Sequence, residues 1–248
     1  MQRDLSNWLP PPDHLDLQPH QVDVWRISLD LPPVSVKALE SNLSADESGR
    51  ATRFHFSAGR QHYIVAHGVL RDLLARYLHC EPSQLDFSTN DYGKPALVGH
   101  KLEFNLSHSG DFALIAITQE CKVGVDVERI RPELERESIA RRFFSPNEVS
   151  ELMALALEQR KMAFFNAWTR KEAYIKAQGM GLSLPLDSFD VSLTPNEPAI
   201  LRATRPNARA ALDWTLLSLD VDPNYSAAVA VEGQSLEFRF WDWNAIIR

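Results

Sequence analysis

Asp126 and Glu128 stand two apart in Gly124-Val-Asp126-Val-Glu128, where alternating valines mark a short strand. Residues two apart on a strand share a face, so both carboxylates project together. Paired carboxylate oxygens suit Mg²⁺, with water and a phosphate completing its shell. A solvated strand face would carry the same pattern. A second set, Trp168, Glu172 and Lys176, recurs at four-residue spacing and so shares one helix face. It offers an aromatic wall, a carboxylate and a cation. As a plain surface pair, Glu172 and Lys176 would be worth only about 0.3–0.5 kcal/mol, and the tryptophan would have no role. In Phe104-Asn105-Leu-Ser107-His108-Ser109-Gly110 the imidazole and hydroxyls are either turn residues or donors to a phosphate oxygen. In Tyr92-Gly93-Lys94-Pro95 the glycine permits close backbone approach to a ligand and the lysine adds charge.

These groups need elements to hold them. Val22–Leu29 alternates as a half-buried strand, after an irregular proline-rich arm over residues 1–21. Ser44-Ala-Asp-Glu47 is a capping-box signal for a helix carrying Arg50 and Arg53. Gln61–Leu78 has apolar residues three and four apart, which predicts a helix. Asn90–Pro95 reads as a turn, and Phe104–Leu106 and Phe112–Thr118 as strands joined through Ser107–Asp111. Ser145-Pro146-Asn-Glu148 starts a second helical region that runs with interruptions to Gln178, stopped by Gly179. Trp214–Leu219, Tyr225–Val231 and Leu236–Trp241 read as strands. Without regular βαβ alternation, the predicted class is α+β. A faint internal echo links Arg53–Ser57 with Arg142–Ser145, each before a long helix, and Phe112–Ile117 with Tyr225–Ala230.

Composition limits the partners. The 248 residues are 44% hydrophobic and carry 26 Lys and Arg against 33 Asp and Glu, a net charge of −7. That composition is globular, and the charge argues against a broad nucleic-acid-binding face. No apolar run is long enough to span a bilayer, and no secretory leader is visible, so the expectation is a soluble cytoplasmic protein. Cys80 and Cys121 are too few for a disulfide framework and fit a reducing compartment. An acidic chain does not attract acidic partners as a whole. The one local basic stretch, Arg129, Arg131, Arg136, Arg141 and Arg142, is interrupted by Glu133, Glu135 and Glu137.

Taken in this order, the Gly-Lys-Pro turn, the Asn-x-Ser-His-Ser segment, the Gly-x-Asp-x-Glu strand and the Trp-x-x-Lys-Glu-x-x-x-Lys helix resemble the 4′-phosphopantetheinyl transferases of the surfactin-synthetase-activating type. The resemblance runs from about Arg50 to Asp190. It implies two similar α+β halves about a pseudo-twofold axis, residues 1–118 and 119–248, with the site between them. It also implies transfer of the phosphopantetheine arm of coenzyme A to a serine of an apo acyl or peptidyl carrier protein, as in holo-acyl-carrier-protein synthases. By the same resemblance Asp126, Glu128 and Glu172 hold Mg²⁺, Lys176 neutralises the pyrophosphate, and His108 donates to a phosphate. Gly93, Lys94, Asn105 and Ser107 belong to the coenzyme A site, and Arg50 or Arg53 takes the 3′-phosphate. Glu172 is the expected general base. Because both halves lie in one chain, a monomer is expected. Read from the carboxylates and lysines alone, the alternative is a magnesium-dependent phosphohydrolase or nucleotidyl transferase.

Overall fold

The computed structural model describes residues 7–131, 136–205 and 207–247. Strand β1 (Gln21–Ser28) precedes helices α1 (Pro33–Glu40), α2 (Ala45–Ala51) and α3 (Ser57–Leu78). A small hairpin, β2 (Phe87–Thr89) and β3 (Pro95–Leu97), leads into β4 (Leu102–Ser109), β5 (Phe112–Gln119) and β6 (Val123–Arg129). Helices α4 (Arg136–Phe143), α5 (Pro146–Ala154) and α6 (Leu157–Gln178) follow. The chain ends with β7 (Phe189–Val191), β8 (Leu201–Thr204), β9 (Trp214–Ser218), β10 (Tyr225–Glu232) and β11 (Glu237–Asp242).

Both serine signals close as capping boxes. Ser44 Oγ accepts from the Glu47 amide at 3.2 Å while Glu47 accepts from the Ser44 amide at 2.8 Å. Ser145 and Glu148 repeat the exchange at 3.3 and 2.9 Å, with Pro146 opening α5. At the far end Gly179 takes φ +68°, the left-handed conformation that ends α6.

Two sheets, ordered β11-β1-β5-β4 and β6-β10-β9, lie between α3 and α6. On one face of the first sheet, Trp25, Ile27, Phe104, Ile115 and Ile117 pack with Ile64, Val65, Val69 and Leu73 of α3. On its other face Val22, Val24, Leu114 and Ala116 meet Val123, Val125, Val127, Val229 and Val231 of the second sheet. The second sheet's remaining face, with Leu216, Ala228 and Ala230, packs on Phe164, Tyr174 and Ile175 of α6. The result is a helix, sheet, sheet, helix stack. Each wholly buried aliphatic side chain in these layers contributes about 1.5–3 kcal/mol. The internal echo has this physical form: β5 and β10 are interior strands of their sheets, and α3 and α6, each of 22 residues, cover them. The mixed α+β class agrees with the expectation.

Three particulars differ from the sequence reading. Ser107, His108 and Ser109 continue β4 and do not form its loop; only Gly110 and Asp111 turn the hairpin. The Arg142–Ser145 segment leads into the nine-residue α5, with the long α6 only after a break at Leu155 and Ala156. And β11, within the stretch 119–248, returns to lie parallel beside β1 in the first sheet.

Candidate active site at the junction of the two sheets

Strands β4 and β6 are the facing edges of separate sheets, and side chains of β4 join them. The Asn105 side-chain oxygen accepts from the Val125 amide at 2.8 Å, Ser107 Oγ from Val127 at 3.4 Å, and Ser109 Oγ from Arg129 at 3.1 Å. Polar side chains at every second residue of β4 thus meet the amides of every second residue of β6. This pairing satisfies edge groups that burial would otherwise leave bare. It also explains why the polar run 105–109 stays extended. The same hydroxyls hold the carboxylates: Ser107 Oγ bonds Asp126 Oδ1 and Ser109 Oγ bonds Glu128 Oε2, each at 3.0 Å.

Helix α6 closes the site from the other side. Lys176 Nζ reaches Asp126 Oδ1 at 2.6 Å and Ser107 Oγ at 2.9 Å. Glu172, one turn earlier, is pushed up to about 7 by burial, then by the negative charges of Asp126 and Glu128, with Lys176 opposing. Glu128 is also raised, first by burial and then by Asp126. Asp126 is buried and its Oδ2 has no hydrogen-bond partner.

Such close approach of α6 to β6 depends on Gly124. A Cβ there would run into the Ala173 carbonyl oxygen and the Ala177 amide nitrogen, both main-chain atoms that cannot swing away. Gly124→Ala is therefore expected to destabilise the fold by about 3 kcal/mol, the upper part of the overpacking range, as read from the urea midpoint. A change below about 0.5 kcal/mol would refute the tight crossing.

Among the described residues no three His, Cys, Asp or Glu side chains gather as a ready metal cage. Mg²⁺ asks for less: one or two carboxylates, with substrate phosphates and water supplying the other oxygens. The orphaned Oδ2 of Asp126 and the mutual repulsion of three carboxylates fit such an ion.

The other predicted residues are dispersed around this junction. His108 projects from β4 toward solvent, its imidazole held low by crowding from the protein and then by His62 and Lys176. Arg50, exposed at the end of α2, lies beside Tyr63 and His67 of α3. Arg53 is exposed too, just past the end of α2. Gly93 takes φ +85° with open space where a Cβ would lie. Lys94 points inward, its Nζ donating to the Val123 and Ala177 carbonyls at 3.1 Å each. Trp168 lines a cavity of about 180 Å³ with Glu128, Arg129, Arg131, Ile139, Phe164 and Phe165. Glu133 and Glu135 of the basic stretch lie outside the described residues.

Tyr63 and His67 were not singled out in the sequence. Their rings sit 4.1 Å apart. His67 is pushed down to about 4, mainly by burial; Glu47 opposes, and His108 and Arg50 add to the shift. The Tyr63 hydroxyl is buried beside Arg50 without a well-aligned hydrogen bond. A polar pair four apart inside an apolar helix repeat was the available signal.

An α+β stack that sets two strand carboxylates against a helix carrying a third and a lysine suits chemistry at a phosphate group. The profile of the 4′-phosphopantetheinyl transferase superfamily matches residues 122–230, and that of the 4′-phosphopantetheinyl transferase N-terminal region matches residues 33–120. The chain is 42% identical to the 4′-phosphopantetheinyl transferase HetI of a Nostoc species, over 95% of this chain and 98% of that protein. It is 32% identical to Sfp of Bacillus subtilis, over 76% of this chain and 82% of that protein. The chain belongs to the Sfp-like 4′-phosphopantetheinyl transferase family. A phosphohydrolase or nucleotidyl transferase finds no support in these similarities.

Proposed function

We propose that this enzyme moves the 4′-phosphopantetheine arm of coenzyme A to a serine hydroxyl of an apo acyl or peptidyl carrier protein, releasing adenosine 3′,5′-bisphosphate. The observation that carries the reading is the meeting of Asp126, Glu128, Glu172 and Lys176 at the junction of β4, β6 and α6. The serine oxygen bonds to the phosphorus bearing pantetheine, and the bond from that phosphorus to the bisphosphate leaving group breaks. Glu172 takes the serine proton. Lys176 neutralises charge on the leaving pyrophosphate oxygen, and His108 donates to a phosphate oxygen. Asp126, Glu172 and Glu128 would hold Mg²⁺, which when bound supplies positive charge to the pyrophosphate. The backbone at Gly93 approaches the nucleotide, and Arg50, set beside Tyr63 and His67, takes the 3′-phosphate in preference to Arg53. Asn105 and Ser107 support the pocket by holding β6. The apolar cavity at Trp168, edged by Arg129 and Arg131, suits the carrier side.

A monomer accords with this site, because one chain supplies all of its residues. Among the described residues no helix is long and apolar enough to cross a membrane. Cys80 and Cys121 are both unbridged, in keeping with a cytoplasmic enzyme. The test is intact-mass spectrometry of apo carrier proteins incubated with coenzyme A and magnesium. Addition of one phosphopantetheine to the carrier serine supports the reading; an unmodified carrier with coenzyme A hydrolysed overturns it.

Glu172 also sets a pH dependence. Its folded value, about 7, lies above the ordinary glutamate value of 4.5, so the folded state holds this proton more tightly. That contribution to stability is complete below about pH 4.5 and is lost as pH rises through about 7. In metal-free protein, the melting temperature of wild type relative to Glu172→Gln should fall between pH 5 and pH 8. Magnesium should restore more of it at pH 8 than at pH 5. A flat difference would remove the shifted carboxyl.

A further inference from the structure

The Gly-Lys-Pro turn contains a lysine whose charge faces the protein interior. Lys94 Nζ donates to the carbonyl oxygens of Val123 and Ala177, each at 3.1 Å. Val123 opens β6, three residues before Asp126, and Ala177 directly follows Lys176 on α6. One ammonium thus joins the strand that carries two carboxylates to the helix that carries the third. The Ala177 carbonyl belongs to the last turn of α6, where backbone acceptors lack intrahelical donors and a cation is favoured.

The rest of the turn makes the same attachment. Asn90 accepts from the amides of Tyr92 and Lys94 at 3.0 and 2.9 Å, which folds the turn. Its side-chain amide donates to the Gly179 carbonyl at 2.7 Å. A Cβ on Gly179 would come within 2.9 Å of Lys94 Cδ, so the glycine that ends α6 also makes room for the lysine stem. Burial lowers the Lys94 pKa, in keeping with an ammonium enclosed by protein.

We infer that Lys94, with Asn90, is a positioning residue that clamps the C-terminal end of α6 to the start of β6 and thereby fixes Glu172 and Lys176 against Asp126. This deepens the transferase reading and rests on it. A lysine serving the nucleotide directly would point its ammonium at phosphate. Here two of its three donors are engaged by main-chain carbonyls. The turn therefore leaves Tyr92 and Gly93 exposed while the side chains of Asn90 and Lys94 reach the end of the catalytic helix.

The experiment compares Lys94→Met, Asn90→Ala and wild type on coenzyme A and on 3′-dephospho-coenzyme A, together with amide hydrogen exchange of the free proteins. Lys94→Met should lower kcat about 10-fold with KM for coenzyme A changed less than about threefold, and by equal factors on both nucleotides. Exchange at Ile175–Gly179 should rise about 10-fold or more, with the first turns of α6 unchanged. Asn90→Ala should show the same pattern in milder form, and it decides the matter if Lys94→Met does not fold. A KM increase that disappears on the analogue lacking the 3′-phosphate would make Lys94 a phosphate contact and overturn the clamp. So would unchanged exchange in the last turn. Because exchange needs no turnover, the clamp stands or falls on it even if wild type transfers nothing to a carrier, which would sink the transferase reading alone.

Discussion

Glu172→Gln and Asp126→Ala should each lower phosphopantetheine transfer by about 10³-fold or more while the protein stays folded. The two losses have different causes. Glutamine at position 172 keeps the size of the side chain but cannot take the serine proton, and proton transfer by a placed side chain is worth about 10²–10⁴ in rate. Folding should not suffer, because the ionised Glu172 is disfavoured by burial and by Asp126 and Glu128. Asp126→Ala removes the acceptor of both Lys176 and Ser107 and the orphaned oxygen best suited to a cation. Asp126→Asn serves as its control: it preserves shape, so equal loss there assigns the effect to charge and not to a collapsed seam. The measurement is initial rate of mass gain on an apo carrier at saturating coenzyme A, beside a thermal melt. If either carboxylate variant keeps more than a tenth of wild-type turnover, the proposed division of labour is wrong.

The parts of this architecture that are local in sequence were legible, and the parts that are not were missed. The capping boxes at Ser44 and Ser145 need only residues three apart, and the Gly179 stop only the end of one periodic run. The carboxylate strand was legible because period-two alternation puts Asp126 and Glu128 on one face. By contrast, Ser107, His108 and Ser109 looked like a loop because polar residues beside Gly110 and Asp111 resemble turn chemistry. The true partners of Ser107 and Ser109 are amides of another sheet, about 20 residues on. The inward turn of Lys94 depends on where α6 ends, and the need for glycine at 124 depends on how near α6 lies to β6. Nothing within a few residues of either position encodes that. The parallel addition of β11 to β1 is equally remote. Helix α6 showed a broken apolar period for a related reason: Arg170 and Lys171 are buried charges on it, made tolerable by partners elsewhere in the chain.

Lys171 shows how strongly the fold relies on such a partner. Its ammonium is fully buried, 2.8 Å from Glu148 and 2.7 Å from the carbonyls of Leu186 and Phe189, and it lies over the Phe189 ring. Glu148 in turn accepts from the Val191 amide at 2.8 Å and closes the cap of α5. One ion pair therefore ties α5, α6 and β7 together directly beside Glu172. Burial pushes both partners toward neutrality, Glu148 upward and Lys171 downward, with their mutual attraction opposing it. The pair is thus a poor source of net stability but a costly thing to break, since truncating one partner leaves the other charge uncompensated. Lys171→Met should cost about 3–5 kcal/mol in urea unfolding, a large share of the roughly 5–15 kcal/mol that holds a typical domain. The double variant Lys171→Met with Glu148→Leu should recover part of that loss, because no buried charge remains even though the α5 cap is gone. A single-variant cost below about 1 kcal/mol, or strictly additive losses in the pair, would show that water reaches this site and that α6 is held in place by apolar packing alone.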